Sequence, residues 1–334
     1  MDVFVQANKL SLIHTTSVST ELILEKLFFL KKMVGNTPLT LIDNVNGNPI
    51  SAKLEYYNPL SHSVKDRPAI YMFEGAIKKG IPNLEETIFI EASSGNFGIA
   101  YGLVGRFLGL KTMIVIPSVV GEETFNRVQK SGAIVEKTPD GYCPRRNERD
   151  GAIVKVKDLW LKDPKKEFLN QYNNADNIRA HFEGTGPEIW KQTNGKVKMV
   201  VMGAGTGGSI VGIARYLKKM NPKIKCVAVQ PQMNHHIQGL RNYQESLEPE
   251  IIQKNRDLID DWVEVSDKEA FLATEYLWRR GFYVGSSSGL NYFAAKKIAR
   301  KHKNLNLVTL FPDTGLNSFK LLQRNILKRL SLRK

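Results

Sequence analysis

The sequence predicts an α/β protein built on open parallel sheets. Three observations carry that expectation. Short apolar runs recur along the chain, segments of helical period separate them, and the turns leading from run to helix are rich in glycine and hydroxyl residues. A parallel strand buried on both faces reads as a continuous apolar run, and strand–helix–strand repetition covers both faces of its sheet with helices. In order, the first periodic segment is Leu22–Leu30, whose apolar residues form one face of a helix. That face would pack either across a subunit interface or onto its own chain. Strands are expected around Leu39–Lys53 and at Thr87–Ile90, Thr112–Ile116, Val197–Val201, Cys226–Val229 and Leu307–Phe311. Helices are expected at Gly98–Leu108, Phe125–Ser131, Ile210–Met220, Lys268–Arg280 and Asn291–Lys301. The stretch Pro139–Asp150, with its Gly, Pro and charges, reads as a loop near a domain junction.

The composition bounds what such a scaffold does. At 334 residues the chain is long enough for two domains or one large one. No apolar run approaches the ~20 residues that span a bilayer, and the N-terminus lacks the pattern of a signal peptide. A cytoplasmic protein is expected. Two cysteines, Cys143 and Cys226, provide neither a disulfide framework nor a metal cluster. The net charge of +15 suits an anionic substrate or an acidic protein partner. It is scattered, with local clusters at Lys165–Lys166, Arg145–Arg146–Arg149 and the tail around Lys328, Arg329, Arg333 and Lys334. No zinc-finger spacing, aromatic RNA motif or basic zipper accompanies it, so nucleic acid is not the expected partner. Cys143 reads as an ordinary loop thiol, and His235 and His236 as polar loop residues.

In open α/β sheets ligands sit at the carboxyl ends of strands, so the strand-to-helix turns hold the candidate site. Gly203–Ser209 reads GAGTGGS between a strand and a helix, which lets backbone amides and a helix N-terminus meet a phosphate. It satisfies G-x-G-x-x-G, but a dinucleotide site needs an acid at the end of the next strand, where Gln230 stands. A phosphate is therefore expected, and a nicotinamide cofactor is not. Ser93–Gly98, SSGNFG, offers hydroxyls and amides to a small carboxylate, although an N-capping turn would look the same. Lys65 lies in a Ser/His-rich turn, and if desolvated it becomes a Schiff-base nucleophile. Val284–Gly289, VGSSSG, is another small-residue turn whose hydroxyls suit a ring nitrogen.

These four turns, in this order, resemble the cysteine synthase and cystathionine β-synthase family of fold-type II pyridoxal-phosphate enzymes over roughly Met33–Ser318. Val34-Gly35-Asn36-Thr37-Pro38-Leu39 is similar to the family's G-[NQ]-T-P-[LM] opening, and Ser63-Val64-Lys65-Asp66-Arg67 to its S-V-K-D-R. The resemblance makes Lys65 the lysine that holds pyridoxal 5'-phosphate and then acts as general base. Ser93, Ser94, Gly95 and Asn96 would bind the substrate carboxylate, with Asn96 also on the cofactor's ring hydroxyl. Gly205, Thr206, Gly207, Gly208 and Ser209 would cradle the phosphate. Ser287 would meet the pyridine nitrogen; a serine there, unlike an aspartate, leaves the ring near neutral and favours β-elimination and replacement. The implied reaction passes through an α-aminoacrylate, to which a sulfur nucleophile adds.

Three departures bear on the subgroup. The turn before Lys65 is one residue longer than the family's N-P-G-G-S-V-K-D-R, so that Ser61 and His62 would add polar groups beside the site. Ile237–Tyr243, IQGLRNY, sets Arg241 where O-acetylserine enzymes have a small residue, and a guanidinium fork suits a phosphate. Phe311–Gly315, FPDTG, replaces P-S-G-G, with no evident bearing on function. The pattern is similar to O-phosphoserine-using cysteine synthases, which implies cysteine formation from O-phosphoserine, or O-acetylserine, and a sulfide donor. Cystathionine β-synthase chemistry on serine and homocysteine, an amine-adding enzyme using O-phosphoserine, and a catalytically silent binding protein are the alternatives. The resemblance further implies two open parallel-sheet domains of the tryptophan synthase β-like type. Residues 34–56 and 159–322 would form a large cofactor-binding domain, and residues 57–158 a small mobile one. Residues 1–33 would be a helical extension and residues 323–334 a basic tail. A homodimer is implied, with a sulfur-carrier protein as a further partner.

Overall fold

The computed structural model describes residues 19–139 and 151–317, and its fold is set by two sheets. Helix α1 (Thr20–Met33) begins where the Ser19 side chain accepts from the Leu22 amide at 3.2 Å. A hairpin follows, β1 (Leu39–Val45) and β2 (Asn48–Leu54), turning at Asn46 and Gly47. Both turn residues take positive φ, 53° and 79°, as a two-residue hairpin turn demands. Helix α2 (Asp66–Lys78) leads to strand β3 (Ile88–Ala92), α3 (Asn96–Leu108), β4 (Lys111–Pro117), α4 (Glu122–Lys130) and β5 (Ile134–Thr138). After α5 (Ala152–Lys162) come β6 (Lys166–Phe168), α6 (Ala175–Ala180) and α7 (Gly186–Gln192). The chain then runs through β7 (Met199–Gly203), α8 (Gly208–Met220), β8 (Lys225–Pro231), α9 (Glu250–Gln253) and β9 (Asp261–Val265). It closes with α10 (Asp267–Arg279), α11 (Ser286–Lys301) and β10 (Leu307–Phe311).

One sheet has six strands in the order β1-β2-β10-β7-β8-β9, parallel except for the β1–β2 hairpin. The other has four, β5-β4-β3-β6, all parallel. The α/β class with open parallel sheets is thus what the alternating runs predicted. β6 is the difference: it lies beyond residue 158, yet it is the edge strand of the four-stranded sheet. Its sequence, Lys-Glu-Phe, has no apolar run to signal a strand.

Helix α1 buries Ile23, Leu27 and Leu30 in the core that α2 and α3 form over the four-stranded sheet, an i, i+4, i+7 stripe on its own chain. Phe28 and Phe29 on the opposite side remain exposed, and Phe29 stacks on Phe107 with ring centroids 6.1 Å apart. Residues 1–18, the loop carrying Cys143, Arg145, Arg146 and Arg149, and the basic tail lie outside the described residues. Among the described residues no helix is long and apolar enough to cross a membrane.

Beneath the start of α2 sits a buried ion network. Arg67 donates from Nε to Glu55 at 2.7 Å and from Nη1 to Glu188 at 2.7 Å, while Lys53 pairs with Glu188 at 2.6 Å. Glu55 also accepts from Thr37 at 2.7 Å and from Asn58 at 3.0 Å. The Arg67 and Lys53 cations hold Glu188 at about 2 against the opposing effect of burial. The network joins β2, α2 and α7 within two residues of Lys65. Breaking a buried ion pair by removing one partner leaves an uncompensated charge, so Glu55→Ala should cost ~3–5 kcal/mol. Urea denaturation of the variant measures this; an unchanged midpoint would show that the network contributes nothing to stability.

Candidate active site

The carboxyl ends of β3 and β7 and the turns after them face one another across an open cleft. Lys65, the Ser93–Phe97 turn, Gln171, Tyr172, Gly205, Thr206 and the loop from Gln238 to Arg241 all border it. A second, connecting space is bordered by Lys65, Asn96, Gly207, Ser209 and Ser287. The structure therefore brings together side chains from every turn singled out in the sequence.

Lys65 is the residue before α2, half-buried, and its backbone is held from both sides. The Val64 amide donates to the Pro312 carbonyl at 2.8 Å, and Ser63 bridges Asp313. Burial pushes the Lys65 ammonium down to about 8, and the Asp313 charge opposes that shift. Asp66 ties the longer turn together, accepting from the amides of Leu60 and Ser61, both at 2.9 Å, and from the Ser61 hydroxyl. The expectation that Ser61 and His62 add polar groups to the site is corrected here. Ser61 is buried, with Asp66 and Ser63 as partners. His62 is exposed at a φ of 54°, the left-handed region in which a chain reversal directs its side chain outward.

The Ser93–Gly98 turn divides its work. The Ser93 hydroxyl accepts from the amides of Gly95 at 3.2 Å and Gly98 at 2.9 Å, so it braces the turn from within. Ser94, Gly95 and Asn96 stay half-buried at the cleft, where the first amides of α3 leave a favourable place for an anion. Glu91 at the end of β3 is buried and pushed up to about 8 by that burial, while accepting from the amides of Ala92 and Gln171, both at 3.0 Å. This contact brings Gln171 and Tyr172 to the cleft wall. Neither was singled out in the sequence, because the strand before them is only three residues long.

The glycine turn after β7 is shaped by close approach. Gly207 takes a φ of 91° just before α8. A Cβ on Gly205 would fall on the carbonyl oxygen of Gly239. Asn177 donates to Thr206 at 3.0 Å and Tyr243 donates to the Gly205 carbonyl at 2.9 Å, which fixes the turn. The Ser209 hydroxyl lies 3.1 Å from His181, which burial holds neutral together with the Arg67 and Lys65 charges. Ser287 lies in the first turn of α11, which starts at Ser286 rather than at Asn291, and its hydroxyl donates to Asp313 at 3.5 Å. Asn96 donates to the other Asp313 oxygen at 2.7 Å.

Arg241 lies at the cleft rim, only 7% exposed, its guanidinium 4.4 Å from the centre of the Tyr172 ring. It also donates to the Leu247 carbonyl at 3.4 Å. His236 pairs with Asp267 at 2.7 Å and His235 accepts from the Ile237 amide at 3.1 Å, so both histidines serve the loop.

Residues 30–313 match the family described as pyridoxal-phosphate dependent enzymes. A cysteine synthase of Aquifex aeolicus is 39% identical over 297 residues, covering 85% of this chain and 88% of that one. A cystathionine β-synthase of Apis mellifera is 34% identical over 307 residues, covering 86% of this chain and 59% of that one. The crystal structure of a hydrogen sulfide-producing enzyme from Fusobacterium nucleatum superposes with a TM-score of 0.78 at 32% identity, over 86% of this chain and 98% of that one.

The cradle geometry yields a direct test. A methyl at Gly205 must push the turn away from Gly239, an overpacking cost of ~1–3 kcal/mol, so Gly205→Ala should bind pyridoxal phosphate roughly tenfold more weakly or worse. Equilibrium dialysis checks this, and unchanged affinity would mean that the cofactor's phosphate binds elsewhere.

Proposed function

From the premise that this chain belongs to the pyridoxal-phosphate dependent enzyme family, we propose that it makes cysteine by β-replacement and that its substrate is O-phosphoserine. The relatives named cysteine synthase and cystathionine β-synthase support the reaction class. The residues present fit the cofactor. Lys65 is a desolvated amine, the glycine turn before α8 offers backbone amides where a Cβ at Gly205 would strike the Gly239 carbonyl, and Asn96 and Ser287 carry donors at the connecting space. Once bound, pyridoxal phosphate supplies an electron sink conjugated to the substrate's Cα.

The chain's own groups carry the rest. Ser94, Gly95 and Asn96 hold the substrate carboxylate at the N-terminus of α3. Lys65, with burial lowering its affinity for a proton, is the base that takes the proton from Cα. Ser287 offers the ring nitrogen a neutral partner, which restrains charge build-up on the ring and directs the chemistry toward loss and replacement of the β-substituent. The walls formed by the two sheets exclude water while the β-position is reactive.

The observation that carries the substrate assignment is Arg241. Among the described residues bordering the cleft, Lys65 and Arg241 are the cationic side chains. With Lys65 engaged by the cofactor, Arg241 is left to receive an anionic substituent, and stacking on Tyr172 keeps its planar fork oriented. The same reading extends to a cytoplasmic homodimer, for which the exposed Phe28, Phe29 and Phe107 supply an apolar face. It also extends to a sulfur-carrier protein as the sulfide source, which the +15 net charge favours.

The test is to supply the purified holoprotein with O-phosphoserine, O-acetylserine or serine, each with sulfide, and to measure cysteine and released phosphate. Preferential turnover of O-phosphoserine with stoichiometric phosphate is expected; turnover of O-acetylserine or serine alone would overturn the substrate assignment. Losing hydrogen bonds to a charged group costs ~1.5–3 kcal/mol, so Arg241→Ala should raise the KM for O-phosphoserine roughly 10- to 100-fold and spare any O-acetylserine reaction. Equal losses on both substrates would assign Arg241 a structural role only.

A further inference from the structure

The FPDTG segment at the end of β10 is unexplained by the reaction as described, yet its aspartate accepts from two side chains that border the cofactor space. Asp313 is 6% exposed. Its Oδ2 accepts from Asn96 Nδ2 at 2.7 Å and its Oδ1 from Ser287 Oγ at 3.5 Å. Its backbone pairs with Ser63, two residues before Lys65, and its carbonyl accepts from the Gly285 amide at 3.1 Å. A Cβ on Gly285 would collide with the carboxylate, so the glycine there is needed to admit it.

One carboxylate thus holds the side chains assigned to the cofactor's ring hydroxyl and ring nitrogen, and acts through space on the lysine assigned to its aldehyde. Asn96 belongs to the helix after β3 and Ser287 to the helix before β10, so the contact also links the two sheets. We propose that Asp313 is a positioning residue: its carboxylate fixes the Asn96 and Ser287 side chains beside the cofactor space, and its backbone pairing with Ser63 sets that carboxylate against the Lys65 turn. This rests on the assignment of Lys65 as the cofactor lysine.

Among the described residues the charges acting on Lys65 are few. Asp313 opposes the desolvation of its ammonium, His181 faces it from the segment after α6 as a neutral ring, and Arg67 follows on α2. Arg127 on α4 interacts with Asp313 and with Glu123. Removing the Asp313 charge leaves desolvation of Lys65 unopposed, which shifts its deprotonation to lower pH.

The experiment follows capture of pyridoxal phosphate by the apoprotein as a function of pH, using the visible absorbance of the bound cofactor. Wild type is compared with Asp313→Asn and Asp313→Ser, the latter placing the residue of the P-S-G-G pattern there, and melting curves accompany each. In both variants the pH midpoint of the capture rate should fall, with more neutral amine available below the wild-type midpoint, and the variants should release cofactor faster on dialysis. Asp313→Glu should return the midpoint toward wild type. A role confined to packing would move the melting temperature and leave the midpoint in place, which would overturn the proposal. Should wild type itself develop no visible band, the assignment of Lys65 fails instead.

Discussion

The pairing of Ser63 with Asp313, together with the Val64 amide on the Pro312 carbonyl, decides where the Lys65 amine stands, and the remainder of the cleft is arranged around it. These bonds attach the turn before α2 to the end of β10, the third strand of the six-stranded sheet. Arg67 reinforces the attachment through Glu55 and Glu188. A lysine that must be desolvated tends to escape to solvent, because its long stem lets the ammonium reach water. Backbone pairing on one side and a buried ion network on the other remove that freedom. The consequence is chemical: an amine with a reduced hold on its proton faces the space between two sheets.

The other turns contribute what a lysine alone lacks. Helices α3 and α8 present their N-termini to the cleft from the two different sheets, which offers two separate sets of amides to anionic groups. Ser287 comes from a third segment, α11, and meets Asn96 of α3 at Asp313. Among the described residues cationic charge bordering the cleft is sparse, which is why the placement of Arg241 against Tyr172 carries weight for the choice of substrate. The placement does not follow from the fold, since Arg241 lies on a loop after β8 rather than at the end of a strand.

Much of this was legible in the sequence because the chemistry is local. The glycine turn and the SSGN turn each occupy consecutive residues between an apolar run and a helical pattern, and the same short-range rules that make the turn also make the anion site. What was not legible depends on distance along the chain. Asp313 meets Asn96 across 217 positions, and nothing in FPDTG announces a partner. Gln171 and Tyr172 follow a three-residue strand without an apolar run, and Glu91, which brings them in, is a buried carboxyl that a periodicity argument places on no face. The start of α11 was read too late because Ser286, Ser287 and Ser288 carry no apolar period, although all are buried. His62 was expected to add a polar group beside the site because sequence proximity to Lys65 says nothing about the sign of φ.

Borohydride reduction of the purified holoprotein, followed by peptide mass mapping, tests most directly whether Lys65 is the point of cofactor attachment. A reduced pyridoxyl phosphate group is expected on the peptide carrying Lys65. Attachment at another lysine, or none in a protein that retains its fold, would contradict it.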